Sequence, residues 1–243
     1  MNLTNKTAFK IAAVGDLHVH EHSKNLYHDM FVEVSGKADL LVLCGDLTTM
    51  GTAQEALNLA EDVSAATIPV LAVLGNHDYN NGQELLIKQA LTQAKVHFLE
   101  DEPFELEGLS VVGTKGFGGG FDKHILTAFG EQAIKNFVNE TIRETLRLEN
   151  WLREFDGKKT IAVLHYSPIA ATVAGEPPEI FPFLGSSRLE DTLDHFNIAA
   201  IFHGHAHHGS FKGHTKKGTP VYNCALPVLR QQQPPMSYLL IDV

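Results

Sequence analysis

The chain has little of several things that define common protein classes. Only two of its 243 residues are cysteine, Cys44 and Cys224. That is too few for a disulfide framework, and both lie in apolar, strand-like runs where a buried thiol is the ordinary outcome. There is no run of about 18 apolar residues to span a bilayer. The opening Met1-Asn2-Leu3-Thr4-Asn5-Lys6-Thr7 has no apolar core of a secretory signal. These absences lead us to expect a protein of the reducing cytoplasm. Positive charge is scarce as well. Nineteen Lys and Arg face 29 Asp and Glu for a net charge of −10, and the basic residues never cluster beyond pairs such as Lys158-Lys159 and Lys216-Lys217. A non-specific nucleic-acid binder would carry a basic footprint, so nucleic acid is not the expected partner. Composition is otherwise that of a globular chain, with 44% hydrophobic residues. With neither repeat nor linker, it reads as one domain over residues 1–243.

What the chain has in excess is histidine, 14 in all, and the placement is uneven. Short, continuously apolar runs read as strands buried on both faces. They span Phe9 to Val14, Leu40 to Cys44, Val70 to Leu74, Ile161 to Leu164 and Ile198 to Phe202. Helices fall between them. Thr52-Ala53-Gln54-Glu55 reads as a capping box opening a helix towards Ala66, and Ser187-Arg188-Leu189-Glu190 as another opening towards Phe196. Apolar residues from Ile134 to Phe155 recur at helical spacing over about 131–155. A hairpin is expected around Gly108, and two more strands in the tail, at 221–224 and 238–241. Residues 114–122 and 175–186 read as long loops and as candidate rims of a site.

Each of the five apolar runs ends at a residue able to bind a metal. Asp16 and His18 follow the first, Asp46 the second, Asn76 and His77 the third, His165 the fourth, and His205 and His207 the fifth. In α/β sheets ligands bind beyond the carboxyl ends of strands, so five separated clusters point to one place. Carboxylate, imidazole and amide oxygen form a hard-to-borderline donor set suited to Mn, Fe or Zn. It lacks the thiolates of a structural zinc site. Asp16, His18, Asp46, Asn76, His165, His205 and His207 are too many for one ion. A carboxylate shared by two ions solves the count.

These residues resemble the calcineurin-like metallophosphoesterases. That family carries Asp-x-His, Gly-Asp, Gly-Asn-His-Asp/Glu, a lone His and Gly-His-x-His. Here they are Asp16-Leu17-His18, Gly45-Asp46, Gly75-Asn76-His77-Asp78, His165 and Gly204-His205-Ala206-His207, in order. The resemblance implies an α/β fold, a four-layer α-β-β-α sandwich of two mixed sheets flanked by helices. It also implies two metal ions, one held by Asp16, His18 and His207, the other by Asn76, His165 and His205, with Asp46 bridging. A hydroxide between them would attack phosphorus, His77 would assist at the phosphoryl or leaving oxygen, and Asp78 would orient His77.

Other histidines read as ordinary surface, with three exceptions. His20 is a candidate for substrate contact, and His203 and His208 are candidates for orienting ligands. Arg188 and Arg230 are conceivable phosphate clamps. Within the resembling family, protein phosphatases carry an extended Gly-Asp-x-x-Asp-Arg-Gly, whereas this chain has Thr49 at the second Asp. The short chain with Asn-His-Asp is most similar to the small bacterial branch that includes class III cyclic-nucleotide phosphodiesterases. The expected activity is hydrolysis of a small phosphodiester, a nucleotide being one candidate. Alternatives are a phosphomonoesterase or nucleotidase on the same site, a non-catalytic scaffold on the same fold, or a mononuclear metal-binding protein. A homodimer is left open.

Overall fold

The computed structural model of the chain describes residues 8–243. Its strands are β1 (Lys10–Val14), β2 (Leu40–Cys44), β3 (Val70–Val73), β4 (Val96–Phe98), β5 (Phe104–Leu106), β6 (Leu109–Thr114), β7 (Lys159–Leu164), β8 (Ile198–His203), β9 (Lys212–His214), β10 (Pro220–Asn223) and β11 (Leu239–Asp242). They form a five-stranded sheet of order β11-β1-β2-β3-β4 and a six-stranded sheet of order β5-β6-β7-β8-β10-β9. Both are mixed. In the first, β1 to β4 are parallel and β11 runs against β1. In the second, β6, β7, β8 and β10 are parallel, with β5 and β9 antiparallel at the edges.

Helices α1 (His28–Ser35), α2 (Ala53–Val63) and α3 (Glu84–Gln93) cover the first sheet. Helices α4 (Gln132–Glu154) and α6 (Ser187–Leu193) cover the second, and α5 (Phe181–Leu184) and α7 (Leu226–Arg230) are short. The period of two along a strand shows how the layers are made. Val111, Ile161, Val163 and Phe202 of the second sheet join the large core shared with the first sheet and with Phe31, Leu59 and Ile87 of its helices. Their neighbours Val112, Ala162, Leu164 and Ile201 face the other way, into a separate cluster with Leu148 and Leu152 of α4 and Leu189 of α6. Two mixed sheets packed face to face with helices outside them is the expected fold. β2 is buried at every position, so it reads as an unbroken apolar run without alternation.

The expected elements differ in detail at two places. Thr52 and Glu55 form the reciprocal capping box, but at the other candidate the cap is Ser186, whose hydroxyl accepts from Arg188 N at 3.3 Å. Glu190 does not reach back to the cap. Its carboxylate accepts from Lys216 N at 2.9 Å instead. Residues 175–186 are also more ordered than a loop, with a 3₁₀ turn at Pro178–Ile180 running into α5. Proline at the start of each turn leaves no amide to satisfy, which is why a proline-rich segment coils there.

Candidate metal centre

The parallel strands β1, β2 and β3 of one sheet and β7 and β8 of the other end at the same edge of the sandwich. Asp16, His18, Asp46 and His207 come together there, with one ligating atom from each within 4.8 Å of all the others. Asp46, His165 and His205 form a second such group. Asp46 belongs to both. Asn76 joins the second group, its Oδ1 2.9 Å from His165 Nε2. All seven candidate ligands named from the sequence are therefore assembled.

The backbone is bent to present them. Asp16, His18, Asp46 and His205 have φ of 57°, 46°, 50° and 70°. The left-handed region is costly for residues with a Cβ and persists where the surroundings over-determine it. These four are half of the eight non-glycine residues with positive φ among those described. Two motif glycines make room for the carboxylates. A Cβ on Gly75 would lie 2.8 Å from Asp46 Cγ, and one on Gly204 2.9 Å from the Cys44 carbonyl and 3.3 Å from Asp16 Cγ.

Backbone carbonyls set the tautomers. His165 Nδ1 lies 2.9 Å from Cys44 O, and a carbonyl can only accept, so the proton is on Nδ1. Burial, above all, drives the His165 pKa well below its usual value, so the ring carries one proton. Its Nε2 lone pair then faces Asn76 Oδ1 at 2.9 Å and Asp46 Oδ1 at 3.4 Å. The ring nitrogen, the amide oxygen and the carboxyl oxygen converge on one point, an arrangement that a cation satisfies. His205 Nε2 is 3.1 Å from Phe183 O, which leaves its Nδ1 free to ligate. Burial, then His165, lowers the His205 pKa to about 3, and burial lowers that of His18 to about 4. Neutral imidazole is the ligating form. Asp46 is pushed up to about 9, by burial first and then by the Asp16 and Asp78 carboxylates. Buried anions facing each other without a counter-charge are what bound cations would relieve. The donor set therefore fits metal ions.

His77 lies beside the centre and outside both groups. Its Nε2 is 4.0 Å from Asp46 Oδ2, its ring meets that of His18 edge-on at 4.6 Å, and its side chain is 42% exposed. The expected role of Asp78 is corrected here. Asp78 does not touch the His77 ring. It is fully buried and accepts from Leu47 N at 3.2 Å, Thr48 N at 2.9 Å, Thr48 Oγ1 at 2.6 Å and Gly75 N at 2.8 Å. It clasps the two ligand loops together, its two oxygens taken up by amides and a hydroxyl of both. The Thr49 carbonyl, 2.7 Å from His77 Nδ1, orients the ring instead. His77 N also donates to Asp46 Oδ1 at 2.8 Å.

The remaining candidates divide. His203 is fully buried beneath the last motif, its Nε2 2.8 Å from Thr172 Oγ1 and its Nδ1 2.8 Å from Gly204 O. It contacts the backbone of that loop and no candidate ligand directly. His208 turns outward to Glu176 and meets no ligand. His20 is close enough to depress the His18 pKa slightly, whereas Arg188 reaches Leu126 O, away from the centre. Both long segments border the site. Lys115 O accepts from the amides of His165 and Tyr166, and Phe183 O meets His205.

A family model for calcineurin-like phosphoesterases matches residues 9–209. The chain belongs to that family. It is a hydrolase of phosphoester bonds, and the family depends on metal ions. The probable glycerophosphodiester phosphodiesterase GpdQ of Arcobacter nitrofigilis is similar over 215 residues at 23% identity, covering 81% of this chain and 71% of that protein. Among solved structures, a Thermus thermophilus protein superposes with a TM-score of 0.60 at 16% identity over 92% of each chain. The GAP50 anchor of the Plasmodium inner membrane complex superposes with a TM-score of 0.57 at 12% identity, covering 98% of this chain and 81% of that one. At such identities these structures speak for the fold. No helix among the described residues is long and apolar enough to cross a membrane.

Proposed function

We propose that this phosphoesterase is a two-metal phosphodiesterase acting on a small substrate. The observation that carries this is the pair of ligand groups sharing one carboxylate, Asp46. Asp16, His18 and His207 would hold one ion and Asn76, His165 and His205 the other. Mn, Fe and Zn all suit the donors. When bound, the ions would supply Lewis acidity and would neutralise charge on the phosphoryl oxygens.

The chain's own part centres on His77. Because Thr49 O holds the Nδ1 proton, Nε2 is the one ring atom free to hydrogen-bond substrate or carry a proton. Protonated, it donates to a phosphoryl oxygen or to the departing alkoxide, and neutral, it accepts. The Asp46 carboxylate receives the His77 amide, so the position of the ring is tied to that of the shared ligand. Asp78 acts behind both by locking the loop of Asp46 to the loop of Asn76.

The diester preference draws support from the similarity to a probable glycerophosphodiester phosphodiesterase. Monoester and nucleotide substrates are the rivals, a cyclic nucleotide among them. That an anchor protein has this fold shows that fold alone does not decide chemistry, but here every ligand position and His77 are filled. A single domain over the whole chain is part of this proposal. The test is reconstitution of metal-stripped protein with Mn, Fe or Zn, followed by metal counting and a substrate panel. Two ions per chain and faster hydrolysis of a diester than of its monoester are expected. One ion per chain would refute the two-metal reading. Faster monoester hydrolysis would refute the diester preference alone.

A further inference from the structure

A second cavity, of about 410 Å³, opens beside the centre and shares Asn76 with it. Its floor is Lys115, the residue whose carbonyl takes the amides of His165 and Tyr166. A lysine that is only 7% exposed needs a reason. Its ammonium is ringed by aromatic faces, with the centroids of Phe117, Tyr166 and Tyr79 at 4.7, 5.5 and 5.6 Å. Of its three N–H bonds, one goes to Gly116 O at 2.9 Å. The nearest carboxylate is Glu140 at 4.0 Å, beyond hydrogen-bond length.

The charges around it are nearly all committed. Glu140 pairs with Arg143. Glu144 accepts from Thr114 Oγ1 and from Gly116 N and pairs with Arg147 at the cavity wall. These two acids are thus paired with arginines, and Glu100, the third acid whose charge acts on Lys115, with Lys88, so none of them is hydrogen-bonded to the Lys115 ammonium. The three rings are already engaged by a cation, so they are not a cage awaiting a cationic ligand. An ammonium with two spare donors in a low-dielectric cavity is complementary to an anion.

We infer that this cavity receives the non-reacting arm of the phosphodiester, and that Lys115 selects an arm carrying a second anionic group, a carboxylate or a phosphate. The inference rests on the phosphodiesterase reading and adds the substrate class. Lys115 is then a specificity-determining residue, with the phosphorus at the ligand cluster and the second anion against the ammonium. Glu140 acts in opposition, as the nearest like charge to the incoming group.

The test uses the metal-loaded chain and three 4-nitrophenyl phosphodiesters with the same leaving group. Their second arms are ethyl, 2-carboxyethyl and 2-(trimethylammonio)ethyl. The wild type is expected to show kcat/KM about tenfold higher for the carboxyethyl than for the ethyl ester, the size of one charge-assisted contact, and lowest for the cationic ester. Lys115→Met should collapse the carboxyethyl-to-ethyl ratio to about one, and Lys115→Arg should restore part of it. Glu140→Gln, a surface-side change that does not empty the cavity, should raise the ratio about threefold. It keeps the test decisive if Lys115→Met does not fold. A wild-type preference for the cationic arm would overturn the inference. So would a ratio unchanged in Lys115→Met, or a fall in Glu140→Gln. If the loaded wild type hydrolysed none of the three esters, the diesterase reading itself would fail, a result distinct from hydrolysis without arm preference.

Discussion

Gly75→Ala tests the shared carboxylate directly. The φ of Gly75 is not in the left-handed region, so alanine meets no conformational penalty and acts by volume alone. Its Cβ would lie 2.8 Å from Asp46 Cγ, with Oδ1 and the Asp46 amide closer still. Ordinary carbon contacts are about 3.5–4.0 Å, so the carboxylate must retreat by about 1 Å. Metal–ligand distances tolerate about 0.2 Å. A 1 Å misplacement costs on the order of 100-fold in rate, about 2.7 kcal/mol of barrier. The overpacking itself should cost about 1–3 kcal/mol of stability, which leaves a folded protein. Because Asp46 belongs to both ligand groups, occupancy of both sites should fall together. Gly204→Ala is the matched control. Its Cβ presses hardest on Asp16, of the first group, and less on the Cys44 carbonyl that holds His165 of the second, so the first ion should be lost before the other. Metal content per chain by mass spectrometry after gel filtration at limiting metal, with circular dichroism to check folding, separates the two. Two ions and near-normal rates in Gly75→Ala would refute the reasoning. Loss of a single ion there would refute the sharing.

His77→Ala should retain two ions per chain yet lower kcat by about 10²–10³, with the larger loss on esters whose leaving alcohol is poorly acidic. Metal loss in that variant would place His77 among the ligands and sink its assigned part. Asp78→Asn swaps one acceptor oxygen for an amide, and even if the Thr48 hydroxyl turns to accept from it, at least one backbone N–H loses its partner. A cost of at least about 1–3 kcal/mol is expected in urea unfolding, and an unchanged stability would contradict the clasp. Glu100 is buried and pushed up to about 7 despite the Lys88 ion pair, from 4.5 in the unfolded chain. The folded state keeps a proton that the unfolded state releases between those values. Its contribution is therefore full below about 4.5 and is lost as pH rises towards 7, by up to roughly 3 kcal/mol. Glu100→Gln should flatten stability across that window, and an equal pH slope in both proteins would refute it.

The strands and the ligand set were readable for the same physical reason. Strands buried on both faces are unbroken apolar runs, so the polar residues that end them stand out, and parallel strands deliver their ends to one edge. The Thr52 capping box was legible because its partners are three residues apart. What was not legible depends on contacts distant in the chain or made by groups that carry no identity. The carbonyls of Cys44, Thr49 and Phe183 fix three histidine tautomers, and any residue could supply them. Asp78 follows His77 directly, which invites a pairing, but its oxygens are taken by the loop of Asp46 and by Gly75. The rings around Lys115 come from positions 79, 117 and 166, three segments with no common spacing. Ser187 is not the cap because its hydroxyl takes the amide of Asp122, far away in the chain, which leaves the capping to Ser186.

The pairing of Asp16 with His207, 2.8 Å apart across 191 positions of chain, has a consequence for assembly. Each ligand group draws on both sheets, the first through Asp16 and His207, the second through Asp46 and His165. No fragment containing one sheet can build either group, and the loops bearing Asp16, His18 and Asp46 cannot meet their counterparts until those have been synthesised. Closing so long a loop is slow, because its entropy is lost before any contact rewards it. The centre therefore becomes competent only once both sheets have formed and docked. Ions that bind only the finished arrangement would then act as clamps across the sheet interface, and they would raise the stability of the docked pair by mass action.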